Sequence, residues 1–238
     1  MGGEQSQRAR KNRSDRNRCS MAQLFKNRAN AIARLIIFGG PALFLTICAV
    51  LYAFGRSDFW TRVNDPLDQP VPFSHKHHVD GLGIDCRYCH TSVEQSSFAG
   101  LPSTETCMTC HSQIWKDAPV LEPVRASFQT GRPIQWTRVY DLPDYVYFDH
   151  SIHVNKGISC ASCHGRVDEM PITWKTQPLY MRWCLDCHRH PEENLRRPQE
   201  VFDMQYQAPE NQSTLGRRLA IENHVHQQGL TDCYTCHR

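Results

Sequence analysis

The sequence predicts a mostly α-helical and irregular fold, with one N-terminal transmembrane helix followed by a small domain whose interior is not built from apolar side chains. Three observations predict it: residues 35–54 form an uncharged apolar run, ten of the twelve cysteines fall in five C-x-x-C-H frames, and the connections between frames are rich in proline. Charge and composition exclude other classes. Residues 1–54 carry nine Lys/Arg against two acids, and residues 55–238 carry eighteen against twenty-two. A nucleic-acid-binding body would hold its positive charge on the folded part rather than on a tail. Aromatic side chains make up 10% of the chain, which excludes a disordered protein.

The first element is the run LIIFGGPALFLTICAVLYAF. Its twenty residues match the length needed to cross roughly 30 Å of hydrocarbon as a helix. Gly39, Gly40 and Pro41 are tolerated in such a helix, and Arg34 at its edge can snorkel to the headgroups. The run exceeds the core of a cleaved secretory signal, which is about 7–15 residues. Ile47 is too large to precede a lipidated Cys48, so an uncleaved single-pass anchor is expected. The basic side stays inside. Residues 1–34 are then a basic cytoplasmic tail, 35–54 the span, and 55–238 an extracytoplasmic domain on the periplasmic face of the cytoplasmic membrane. The tail needs no role beyond topology and contact with anionic lipid. Cys19 and Cys48 belong to no motif and read as an ordinary thiol and a small packing residue.

The next elements are the frames themselves: CRYCH (Cys86, Cys89, His90), CMTCH (Cys107, Cys110, His111), CASCH (Cys160, Cys163, His164), CLDCH (Cys184, Cys187, His188) and CYTCH (Cys233, Cys236, His237). They are numbered 1 to 5 below. C-x-x-C-H is the pattern of c-type haem attachment. Two thiols one turn apart can form thioethers with the porphyrin vinyl groups, and the next residue aims its imidazole at the iron. Zinc ribbons need four ligands per metal but no histidine directly after the second cysteine. Disulfides have no use for that histidine either. Five covalently bound haem c groups are expected, with His90, His111, His164, His188 and His237 as proximal ligands.

An internal repeat supplies the other side of each iron. PFSHKHHVDGLGIDCRYCH and YFDHSIHVNKGISCASCH align Phe73 with Phe148, His75 with His150 and His78 with His153, with one residue of slack before Gly83 and Gly157. Each copy continues to a second frame, giving modules over about 71–116 and 146–190. A truncated third copy spans about 221–238, where His226 stands seven residues before Cys233 as His153 does before Cys160. Histidines three apart on a helical turn share a face and can reach neighbouring irons. The distal ligands expected are therefore His75, His78, His150, His153 and His226. His77, His190 and His224 are left for propionate contacts or solvent, with His224 the competitor of His226. Met108 lies inside a frame and Met21 in the tail, while Met170, Met181 and Met204 suit haem-facing packing. Five bis-histidine irons leave no open site. The chain then moves electrons and carries no catalytic residue, so it is not an enzyme on its own.

The F-x-H-x-x-H element before C-x-x-C-H resembles the class III multihaem cytochromes of the cytochrome c3/c7 type. The whole layout, a basic tail, one span and five frames in 184 outer residues, looks like the pentahaem subunit of bacterial alternative complex III. That resemblance implies a quinol-oxidising respiratory complex with an iron–sulfur subunit, quinone-binding membrane subunits, and a periplasmic acceptor or terminal oxidase. A self-sufficient membrane-anchored quinol dehydrogenase feeding a periplasmic reductase, and an electron-storage cytochrome, are the alternatives.

At roughly thirty-seven residues per haem no ordinary hydrophobic core is expected. The porphyrins must fill the interior, with short helices at the frames. The stretches 117–145 and 191–215 are proline-rich and aperiodic, and are expected to be loops that dock on neighbouring subunits. Trp115, Trp136, Trp174 and Trp183 are expected against porphyrin faces.

Overall fold

The computed structural model describes residues 26–237; the basic stretch 1–25, which includes Cys19 and Met21, and Arg238 lie outside the described residues. The chain divides into two compact units, Met1–Ser57 and Asp58–Arg238.

The first unit is helical from Asn27 to Gly55. Helix α1 (Asn27–Arg34) passes through a π-turn (Leu35–Gly39) into α2 (Gly40–Gly55). The wide turn has a cause in the sequence. Pro41 lacks an N–H and its ring crowds the carbonyl four residues back, and it sits in the first turn of α2, directly after the widened segment. From Arg28 to Gly55 the helix is long and apolar enough to cross a membrane, and none of it is buried within the chain. The Thr46 hydroxyl donates back to the Ala42 carbonyl at 2.9 Å, which satisfies that group within the helix.

The second unit is built from short helices: α3 (Asp58–Thr61), α4 (Cys86–Cys89), α5 (Thr104–His111), α6 (Glu122–Thr130), α7 (His150–Asn155), α8 (Cys160–His164), α9 (Met181–Arg189), α10 (Gln212–Glu222) and α11 (Cys233–Cys236). A second π-turn covers Lys76–Gly81. Among the described residues there is no strand, only isolated bridges such as Pro66 with Trp174 and Ile158 with Leu195.

Two expectations need correction. The stretch 117–145 is not all loop, because a 3-10 turn (Pro119–Leu121) leads into α6, whose Pro123 sits in the first turn where a missing N–H costs nothing. The stretch 191–215 holds two 3-10 turns and the start of α10, the longest helix of the unit. Proline marked helix starts here, not helix absence.

The second correction concerns the core. Two small apolar clusters do form: Leu195, Leu215, Leu219 and Ala220 in one, and Val71, Leu121 and Val124 in the other. Each buried Leu contributes roughly 1.5–3 kcal/mol. α10 lies so close to the Pro191–Glu193 turn that a Cβ on Gly216 would run into the Glu192 carbonyl. Trp136 packs on the second cluster, Trp174 sits in the bridge with Pro66, and Trp115 is exposed with its ring stacked 5.8 Å from that of His77.

Candidate haem sites

The frames are placed by local sequence. In frames 1, 3 and 5 the helix begins at the first cysteine, with Asp85, Ser159 and Asp232 at the N-cap position, and the first two cap it with their side chains. The Asp85 and Ser159 side chains accept the N–H two residues on, at 2.8 and 3.2 Å. Frames 2 and 4 sit further along α5 and α9. In each frame the two cysteines fall within one helical turn, as thioether chemistry on adjacent porphyrin edges requires.

The histidines separate by what holds them. Nδ1 of His90 is tied to the Gly100 carbonyl at 2.7 Å, that of His111 to Ile114 at 3.0 Å, that of His188 to Leu230 at 2.7 Å, and that of His237 to Tyr145 at 2.9 Å. On the distal side, Nδ1 of His78 meets the Ser74 carbonyl at 2.8 Å, that of His150 meets Ser97 at 2.9 Å, and that of His153 meets Asp149 at 2.7 Å. His75 uses a side chain instead, with Thr173 Oγ1 at 3.0 Å. A ring that donates through Nδ1 presents an unprotonated Nε2, the form a metal takes. Carbonyl ties of this kind fix the tautomer before any iron arrives.

Three rings then face three others at one spacing. His78 and His111 are 6.2 Å apart between ring centres, His153 and His188 6.2 Å, and His150 and His164 6.4 Å. Two imidazoles on opposite faces of one iron have centres roughly 6 Å apart, given metal–nitrogen bonds of about 2 Å. The residues fit the group. Burial first, then His90 and His78, pushes the His75 pKa down to about 4. Burial, followed by His150, His90 and His75, lowers His164 to about 4. Burial is also the main cause of the lowered His153 pKa. Such rings stay neutral at pH 7, as ligands must.

The phenylalanines of the repeat have a role that alignment alone missed. Phe73 stacks on His78 at 4.4 Å and meets His75 edge-on at 4.9 Å; Phe148 stacks on His153 at 4.6 Å and meets His150 edge-on at 4.7 Å. One ring wedges both imidazoles, in the same geometry twice. The signal was present, since each Phe stands two residues before the first histidine of its pair. Thr173 carried no such signal, because its partner is 98 positions away.

The two thiols of frame 3, Cys160 and Cys163, show how burial acts on these groups. Burial, then the thiols of Cys187, Cys184 and Cys160, pushes Cys163 up to about 12, and burial followed by Cys86 takes Cys160 to about 11. Thiolate metal sites shift the other way, and among the described residues no three His, Cys, Asp or Glu side chains converge on a metal position. His77, His190, His224 and His226 are all exposed, whereas the other nine histidines are half-buried. The structure thus brings together six of the ten expected axial ligands as facing pairs, keeps His75, His90 and His237 half-buried, and leaves His226 at the surface. The ring that His237 meets is that of Tyr145, 5.7 Å away. Met170 and Met204 are buried and Met181 is exposed.

Comparison with known proteins agrees with this geometry. The cytochrome c3 family matches residues 152–238, covering frames 3 to 5, and the class III cytochrome C family matches residues 59–126, covering frames 1 and 2. The menaquinone reductase multiheme cytochrome c subunit of Nitratidesulfovibrio vulgaris is 36% identical over 139 residues, 58% of this chain and 65% of that protein. Cytochrome c-552 of Porphyromonas gingivalis is 38% identical over 85 residues, 33% of this chain and 17% of that protein. The chain therefore spans just under two thirds of the first relative and a small part of the second. The frames, the paired imidazoles and these matches together make the chain a multihaem cytochrome c that carries cytochrome c3-like domains.

Proposed function

We propose that the chain is a membrane-anchored pentahaem cytochrome c that relays electrons for a quinone-linked respiratory complex of alternative complex III type. The observation that carries this reading is the set of facing imidazoles at 6.2–6.4 Å. Bound here, haem c would supply one-electron redox chemistry, with histidines of this chain as its ligands. The ten frame cysteines hold the five porphyrins. His90 works with His75, His111 with His78, His164 with His150, His188 with His153, and His237 with His226. Each chain nitrogen fills a position where a substrate would otherwise bind, so this subunit passes electrons and leaves bond-making to its partners.

The apolar helix, exposed along its length, supports an anchor in the cytoplasmic membrane with the frames on the periplasmic side. The partners are quinone-binding membrane subunits, an iron–sulfur subunit and a periplasmic acceptor. A single span offers only Thr46, Cys48 and Tyr52 as polar side chains, whereas a quinone pocket needs walls from several elements. The name of the Nitratidesulfovibrio relative favours a second direction, in which electrons run toward the quinone.

The test mixes the purified chain, stripped of partners, with a reduced quinol analogue and follows haem absorbance. Slow reduction that other subunits restore supports the relay. Rapid, inhibitor-sensitive reduction would make the chain a quinol dehydrogenase in its own right.

A further inference from the structure

We infer that the five sites form one unbranched row in the order 2–1–3–4–5, not the order of the sequence, with sites 2 and 5 as its ends. The inference rests on the pentahaem reading above and adds the path through it.

Each junction is a contact on the page. Frame 1 meets frame 2 directly, where Tyr88 Oη and Thr109 Oγ1 lie 2.9 Å apart. Those two sites also share one ligand-bearing segment, His75 through His78. Site 1 meets site 3 through the loop after His90. Ser97 gives its carbonyl to both the backbone N–H and Nδ1 of His150, at 3.2 and 2.9 Å, and Asn155 Nδ2 donates to the Glu94 carbonyl at 2.9 Å. From the other side, the Arg87 guanidinium of frame 1 lies 4.4 Å from the Phe202 ring centre, next to Val201, whose carbonyl accepts from the Cys160 N–H of frame 3. Sites 3 and 4 share α7, whose His150 and His153 face His164 and His188. Site 4 meets site 5 where His188 Nδ1 donates to the Leu230 carbonyl at 2.7 Å, three residues before Cys233.

Exposure identifies the same ends independently. Of the ten frame cysteines, only Cys110 of frame 2 and Cys233 of frame 5 are exposed; the other eight are half-buried. An interior site of a row has neighbours on two sides, and a terminal site has one.

The order has a functional consequence. Each hop takes one electron from a ferrous site and gives it to a ferric neighbour, with no proton moved. A quinol partner delivering two electrons sheds its protons at its own site and loads the row twice. Donor and acceptor then meet this chain at opposite ends, sites 2 and 5, and the junction between sites 1 and 3 is crossed on every passage. A sequence-ordered row would place site 1 at an end instead.

The experiment labels one iron at a time in the full-length holoprotein by His78→Met (site 2), His75→Met (site 1), His150→Met (site 3) and His153→Met (site 4). Methionine ligation raises the potential of the labelled iron. Poising the sample so that only this iron is reduced removes its spin. Pulsed electron paramagnetic resonance then counts how many other low-spin irons lose a magnetic neighbour. The expected counts are one for the His78 label and two for each of the other three. A count of two for His78→Met and one for His75→Met would restore sequence order and overturn the inference, as would a His150 label felt by only one neighbour. Should a variant lose its haem altogether, the missing iron removes the same couplings and the count still reads. The wild-type sample is assayed first for five low-spin irons. Fewer than five overturns the ligand reading and the row together; five with different counts overturns the row alone.

Discussion

The two full copies of the repeat wedge their histidines on a phenylalanine in the same geometry, on backbones that differ. In the second copy the ligands sit on an α-helix, and the Ile158 N–H donates to the His153 carbonyl five residues back. In the first copy they lie at a π-turn, and the Ile84 N–H donates to the His78 carbonyl six residues back. The copies differ by one residue between the second histidine and the glycine that follows. A single inserted residue is absorbed in a helix as a π-bulge. The widened turn that absorbs the extra residue, Lys76–Gly81, includes His78 yet leaves the Phe-centred wedge in place. What the fold preserves is the aim of two imidazoles, not the class of helix that carries them.

The strongest way to break this equivalence is to remove a ligand from each copy. His153→Ala and His78→Ala should each convert about one iron in five to a high-spin state that binds carbon monoxide when reduced, since one axial nitrogen is lost. Electron paramagnetic resonance and carbon monoxide difference spectra read the effect. Unequal outcomes in the two copies would mean that the π-turn copy holds its iron differently.

Next in size is the glycine closing each turn. Gly157 has φ +92°, and an added Cβ would meet the Arg196 carbonyl at 2.6 Å, whereas Gly83 has φ +67° with nothing within 4 Å. Gly83→Ala should cost about 1 kcal/mol, the scale of left-handed strain alone. Gly157→Ala should cost about 3 kcal/mol or more, because the backbone must also shift. Thermal or denaturant unfolding of the two holoproteins makes the comparison. Equal losses would mean that the Arg196 contact is unimportant.

How much of this was legible follows from range. The frames, the histidine pairs and the one-residue slack are local patterns, and they stood in the sequence. The pairing of particular rings was not legible, because His150 is aimed by Ser97 and His188 by Leu230, 53 and 42 positions away. Helices α6 and α10 were hidden because their prolines and polar residues suggested loop until packing on Val71 and Leu195 gave each a buried face. His226 is exposed, in a copy too short to bring its own phenylalanine wedge.

A smaller effect separates the copies by how the first histidine is tied. His75 leans on the Thr173 hydroxyl, and His150 on a backbone carbonyl that no side-chain change can remove. Thr173→Val should leave five low-spin irons but shift the potential of site 1, because an untied imidazole is a weaker and less fixed donor. The other four potentials should hold. A redox titration with one shifted component is the expected result, and a loss of low-spin iron would make Thr173 structural instead.

The smallest effect should come from making the copies alike. Deleting Leu82, an exposed residue within the slack, gives the first copy the spacing of the second. If the π-turn is only the trace of an insertion, the segment should relax to an α-helix with stability changed by about 1 kcal/mol or less, the range of surface changes. His75 and His78 would keep their wedge on Phe73, because both precede the deleted residue, and the Ser74 carbonyl would still fix His78. The site most exposed to the change is frame 1 itself, since shortening the link draws Asp85 and its cap toward the turn. Low-spin iron at sites 1 and 2 together with near wild-type melting would make the two backbones interchangeable. Loss of low-spin iron at site 1 alone would show that the extra residue sets the reach from the histidine pair to its own frame, so that the first copy is tuned where the second is not.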